Sequence, residues 1–234
     1  MMRSFVFILL VAATLNARAG DRVFESGPQR THLLELFTSQ GCSSCPAAEE
    51  WLSKLKNEPG LWKDFVPMAF HVDYWDRLGW RDPFSAKEWT ERQNRYSDAW
   101  KRDSVYTPGL VLDGSELFQR RLPPASNKKP GALKLSITNG KVVAEFVPAE
   151  GETKDFDLHV ATLGFDLTTK VTAGENSGRS LGQDFVVLSL TNQKMSGGKT
   201  EFAFKPDPRA GGIAAWITSP DQLEPIQAVG GWLR

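Results

Sequence analysis

Two regimes of apolar and polar patterning divide this chain. Over residues 31–121, compact apolar runs take turns with stretches of helical periodicity. "HLLELFTS", beginning at His32, is an apolar run closed by turn residues, which predicts a buried strand. The following "CPAAEEWLSKLKNE" brings Ala48, Trp51, Leu52 and Leu55 onto one face at three- and four-residue spacing, and "EPG" ends that helix. "FVPMAFHVDYW" predicts a second strand. "DPFSAKEWTERQNRYSDAW" predicts a second helix with Phe84, Trp89, Tyr96 and Trp100 turned inward. "VYTPGLVLDG" predicts a third strand, interrupted by Pro108, with Asp113-Gly114 as a hairpin turn into "SELFQRR". Strands separated by helices imply crossover connections and a mostly parallel core.

The second regime begins beyond "LPPASNKKPGA", whose Pro, Ser, Asn and Lys read as a linker. Short strand-like runs follow, among them "ALKLSIT", "KVVAEFVP", "FDLHVATLG", "DFVVLSL", "EFAFKP" and "GIAAWITS", with a strong hairpin signal at Asn139-Gly140. This pattern predicts an antiparallel β-sandwich. The expected organisation is a leader over 1–19, an α/β domain over 28–122, a linker over 123–131 and an all-β sandwich-like domain over 132–234.

Charge narrows the function classes. The 28 basic and 28 acidic side chains among 234 residues cancel, which argues against a nucleic-acid binder or a protein that coats anionic membranes. The start, "MMRSFVFILLVAATLNARA", has a basic residue at Arg3, an apolar stretch from Phe5 to Leu15, and small residues at Ala17 and Ala19. That is the layout of a cleavable secretory signal, and the apolar stretch is shorter than the roughly 20 residues of a bilayer span. The mature protein is therefore expected to be secreted or periplasmic, with no membrane attachment after cleavage.

The only two cysteines, Cys42 and Cys45, stand between the first strand and the first helix. A structural staple across two residues closes a very small loop and removes little unfolded-chain entropy. A zinc site needs about four ligands; Cys42, Cys45 and His71 could contribute, but His32, His71 and His159 show no ligand spacing. A redox couple fits best. At a helix start, unpaired N–H groups and the helix dipole favour a thiolate at the first cysteine, so Cys42 reads as nucleophile and Cys45 as resolving partner. Pro46 is tolerated in a first turn. No cofactor and no metal is expected.

"LLELFTSQGCSSCP", "FHVDYWDRLGWRDPFS", "VYTPGLVLDG" and the later "GENSGRSL" together resemble the DUF1223 family of secreted, thioredoxin-like proteins, over essentially the whole mature chain. The resemblance implies a thioredoxin-like fold for the α/β domain. It also implies a cis bond at Thr107-Pro108 facing the cysteines, where an edge of backbone could pair with a bound peptide; the alternative is a trans proline at a strand edge. A buried acid near the pair would fall at Glu35, able to take the proton of Cys45; the alternative is a solvent-facing strand end. Ser43-Ser44 match neither the Gly-Pro of reducing thioredoxins nor the Pro-His of strong oxidants, and Gly41 stands where thioredoxins carry tryptophan, so the resemblance sets no direction of electron flow.

Beside the pair, "FHVDYWDRLGWRDPF" gathers aromatics and charges, among them His71, Trp75 and Trp80, that could form a substrate-binding lip. The competing reading places the tryptophans in the core and uses Asp73 or Asp76 as a cap. "GENSGRS" reads by default as a solvated loop, and alternatively as a latch between the two regions, with Arg179 pairing an acid of the first. Two functions follow: a thiol–disulfide oxidoreductase acting on protein or small-molecule disulfides with a redox partner protein, or a non-catalytic binding or adaptor protein with a structural disulfide.

Overall fold

This is a computed structural model that describes residues 21–233; the expected leader lies outside the described residues. The first strand, β1 (Arg22–Glu25), is followed by β2 (His32–Thr38), the apolar run, and by α1 (Pro46–Lys54), with Pro46 in its first turn. Ala48, Leu52 and Leu55 face inward as the periodicity predicts, while Trp51 is half-buried and Glu49 is unexpectedly buried with them. Then come β3 (Phe65–His71), α2 (Lys87–Ala99), β4 (Gly109–Leu112) and β5 (Ser115–Glu116). The second regime supplies β6 (Gly131–Thr138), β7 (Lys141–Pro148), β8 (Phe156–Gly164), β9 (Leu167–Lys170), β10 (Ser180–Gln183), β11 (Val186–Met195), β12 (Lys199–Ala203), β13 (Ala210–Thr218) and β14 (Pro225–Trp232). Both hairpin turns foreseen from sequence have positive φ at their two central residues, Asp113-Gly114 (51° and 84°) and Asn139-Gly140 (52° and 75°).

The protein is predominantly β. One eight-stranded sheet runs β14-β13-β8-β11-β3-β2-β4-β5, a four-stranded sheet runs β1-β6-β7-β12, and β9 with β10 forms a two-stranded ribbon of its own. The core is mixed rather than mostly parallel. β2 and β3 are parallel, but β4 enters antiparallel to β2, and β8, β13 and β14 continue antiparallel. The helical pattern of α2 implied a crossover; instead the loop after it reverses the chain before the strand begins.

Strands on both sides of residues 123–131 thus share one sheet. That segment lies along the protein, with Lys128 O accepting from the Arg30 N–H at 2.9 Å. β1 crosses the other way, pairing with β6. In β13, Ala214 and Trp216 pack with the helices, while Ile213, Ala215 and Ile217 meet the four-stranded sheet in a second core. Both faces being covered explains its unbroken apolar run. Among the described residues no helix is long and apolar enough to cross a membrane.

The first core holds polar groups that must be satisfied. Arg92 of α2, 6% exposed, donates through Nε to Glu35 Oε2 at 2.5 Å and lies 5.0 Å from the ring centre of Trp216. Trp216 stacks on His159 at 4.9 Å, and His159 Nδ1 meets Asn192 Oδ1 at 2.7 Å. Burial, with Arg92 nearby, pushes the His159 pKa down from 6.5 to about 4. The unfolded chain takes up this proton near pH 6.5 and the folded chain refuses it until about pH 4. Stability from this group is therefore complete above pH 6.5 and falls across that window, by roughly 3 kcal/mol. Urea midpoints at pH 7 and pH 4.5 should converge in His159→Gln relative to the unsubstituted protein.

Candidate functional site

β2 ends at Thr38, and the chain turns through Gln40 and Gly41 to deliver Cys42 ahead of α1. The Cys42 N–H bonds Ser39 O and the Cys45 N–H bonds Cys42 O, both at 3.2 Å. Cys45 caps the helix and its carbonyl accepts from Ala48 and Glu49. Gly41 leaves little space for a side chain, since a Cβ there would lie 3.0 Å from Trp75 Cβ and Trp75 would have to shift by a few tenths of an ångström.

Both cysteines are unbridged thiols, Cys42 at 1% exposure and Cys45 at 0%. The Cys42 sulfur lies 3.2 Å from Ser44 Oγ and 3.7 Å from Thr107 O. Its acidity is set first by the Cys45 thiol donating to it. Burial opposes, and the Ser44 and Thr107 hydroxyls and the Ser44 backbone add, pulling the pKa down to about 5. Burial pushes Cys45 strongly up, and the negative neighbour Cys42 reinforces this. One thiolate and one thiol is thus the preferred state of the pair.

The Thr107–Pro108 bond is cis. Thr107 is half-buried, and its hydroxyl oxygen accepts from Trp75 Nε1 at 2.8 Å, while the same hydroxyl interacts with both cysteine sulfurs and with Tyr74. Trp75 therefore reaches the pair through Thr107. Trp80, half-buried, donates from Nε1 to Gln40 Oε1 at 3.0 Å and supports the turn.

Two expected roles are not met. Glu35 is odd-numbered from Thr38 along β2 and so points to the opposite face of the sheet. Thr38 faces α1, where its hydroxyl donates to Glu49 Oε1 at 2.7 Å; Glu35 faces α2, where Arg92 and a short bond from Tyr96 OH occupy its carboxylate. His71 is fully buried, so it cannot form a substrate lip. Its Nδ1 meets Asp82 Oδ2 at 2.7 Å, and its Nε2 has no hydrogen-bond partner among the described residues. Burial opposes the charged form, but Asp82 outweighs it and holds the His71 pKa above the ordinary value.

The residues that sequence reading missed lie on this inner face. Glu49, 4% exposed, has its pKa raised by burial, countered in part by His71 and Thr38. The Thr38 hydroxyl also interacts with Cys45, so Glu49, Thr38 and Cys45 form a continuous polar path. Asp82 Oδ2 accepts from the Gln40 N–H at 2.8 Å, and Gln40 Nε2 donates to Gln183 Oε1 at 3.1 Å. A signal for Glu49 existed: three residues before Leu52, it belongs to the inward stripe of α1. Among the described residues no group of three or more His, Cys, Asp or Glu side chains could hold a metal ion.

The latch drawn from "GENSGRS" takes a different form from the one expected. Asn176, not Arg179, reaches the turn, with Nδ2 donating to Gln40 O at 2.9 Å and Cys42 O at 2.8 Å. Arg179 holds Asn176 through Nη1 to Oδ1 at 2.7 Å, and Glu175 Oε2 accepts from the Ser43 N–H at 2.9 Å.

Fold and site together define a mostly β protein carrying a Cys-X-X-Cys thiol pair against a cis-proline. The chain belongs to the DUF1223 family, described as a protein of unknown function, whose model matches residues 33–214. It is similar to the crystal structure of protein AGR_C_4864 from Agrobacterium tumefaciens, with 25% identity over 86% of this chain and 92% of that one and a TM-score of 0.63. HBP35 of Porphyromonas gingivalis shares the fold at 13% identity, covering 87% of this chain and 75% of that one, with a TM-score of 0.52. No curated protein matches the chain.

Proposed function

We propose that this protein is a secreted or periplasmic thiol–disulfide oxidoreductase, with the segment around β2, α1, β3, α2 and β4 working as a thioredoxin-like unit. The observation that carries the reading is the unequal pair: Cys42 acidified to about 5 beside a Cys45 held as a thiol, both against Thr107 and cis-Pro108. A structural bridge needs no such inequality; an exchange reaction does.

The Cys42 thiolate attacks one sulfur of a partner disulfide. A bond forms between Cys42 and that sulfur, and the other partner sulfur leaves as a thiolate. Cys45 then loses its proton to the Thr38 hydroxyl, which passes its own to the Glu49 carboxylate, and the Cys45 thiolate attacks Cys42 Sγ. The second partner sulfur leaves, the partner disulfide is reduced by two electrons, and Cys42–Cys45 is oxidised. A partner dithiol drives the same steps in reverse. His71 and Asp82 act from behind by fixing Gln40 and by placing charge beside Glu49. Partners are protein or small-molecule disulfides and thiols, with a redox partner protein returning the pair to its starting state. Covalent trapping with Cys45→Ser tests this reading.

A further inference from the structure

Cys42 combines two properties that conflict. Its sulfur is prepared for attack, yet the residue is 1% exposed although Ser43 and Ser44, which follow it, are at the surface. The site is therefore covered rather than deep.

The cover comes from far along the chain. β9 and β10 pair only with each other, and the residues joining them, 171–179, lie across the cysteine turn. The ribbon's base is anchored by buried Val171 and Leu181 and by Gln183 against Gln40. Its tip is held differently. Asn176 donates to the carbonyls of Gln40 and Cys42, Arg179 steadies Asn176, and Glu175 accepts from Ser43. Apart from Asn176 at 1% exposure, Glu175, Ser177, Gly178 and Arg179 are exposed, so little apolar surface secures the tip. The bonds that tie it to the turn are polar and can be replaced by water or by a partner. An isolated two-stranded ribbon is itself marginal, and the tip is bounded by Gly174 and Gly178 at φ of 72° and 85°.

We propose that the tip of the β9–β10 ribbon is a hinged cover over Cys42, and that the pair meets a partner disulfide only when Asn176 and Glu175 release the turn. The inference rests on the redox reading for its purpose, though not for its geometry. Opening lifts the Glu175 carboxylate off the Ser43 N–H, one residue from the attacking cysteine. It also frees the Gln40 carbonyl, the Ser43 N–H and one acceptor position on the Cys42 carbonyl, which keeps the Cys45 N–H, and these are backbone groups with which a polypeptide can pair. The substrate class that best displaces the tip is therefore a polypeptide carrying an accessible disulfide.

Alkylation tests the cover without requiring any disulfide chemistry. The reduced full-length mature protein is treated at pH 7 with iodoacetamide and, separately, with a bulky maleimide, and modification of Cys42 is followed by mass spectrometry. Asn176→Ala combined with Glu175→Ala should accelerate both reactions by about tenfold or more, with the larger gain for the bulky reagent. Equal rates in the variant and the unsubstituted protein overturn the proposal, as does a gain from Trp75→Ala with none from the tip variants. Hydrogen exchange on the unsubstituted protein guards against misfolding of a variant. The Ser43 amide should exchange in step with the tip amides, and Ser43 protection equal to that of β2 overturns the cover. Rapid alkylation of the tip variant without exchange with any disulfide would sink the redox reading and leave the cover standing.

Discussion

Replacing Cys45 with serine is expected to leave natural partners attached to Cys42 as mixed disulfides stable enough to isolate. Attack by Cys42 needs only its own thiolate, whereas release needs a second sulfur in line, and serine cannot supply one. Resolution should slow by more than about a hundredfold, since only external thiols remain to perform it. Cys42→Ser should abolish capture, because the remaining Cys45 is fully buried and its ionisation is pushed up by that burial. The products are read on non-reducing gels of extracts of the cells that make the protein, with the attached proteins identified after reduction. Equal capture by the two variants, or none by Cys45→Ser, would make the pair a structural feature and favour the adaptor reading.

The second large effect lies on the opposite face of the sheet. Arg92→Ala should lower the unfolding free energy by about 3–5 kcal/mol, because it leaves the Glu35 carboxylate buried without its cation. Glu35 is at 0% exposure, and Arg92 also lies 5.4 Å from the ring centre of Phe70 and 5.3 Å from that of Tyr96, so packing is lost with the charge. Replacing the pair together, Glu35→Leu with Arg92→Met, should recover most of the loss. Urea unfolding with an unchanged slope measures both. A loss below about 1 kcal/mol in Arg92→Ala would mean that water reaches Glu35 and that the pair does not join α2 to the sheet.

Glu35 also shows where the sequence stopped being legible. The strand was readable from "HLLELFT" and the helix from Ala48, Leu52 and Leu55, because local periodicity reports which positions are buried. It does not report which helix covers which face. Glu35 and Thr38 lie on one strand with opposite neighbours, so an acid close to the cysteines in sequence serves α2, while Glu49 of α1 lies near Cys45. His71 was readable as unusual but not as buried, since its partner Asp82 arrives after an intervening loop. The composition of 123–131 suggested a linker between two domains, yet β-strand pairing ignores such changes in composition, and β11 lies beside β3 in one sheet. The "GENSGRS" segment stood out for its residue types. Only the fold could bring it 134 residues back, to the carbonyl of Cys42.

The central claim is that Cys42 and Cys45 form a working couple whose reduced state is stabilised by an anionic Cys42. Its most direct measurement is the reduction potential of the purified protein, equilibrated in glutathione buffers and read by thiol quenching. A value between roughly −270 and −120 mV is predicted, the span in which the pair can exchange with partner thiols and disulfides. A value below about −300 mV, the range of bridges that stay closed once formed, would contradict it.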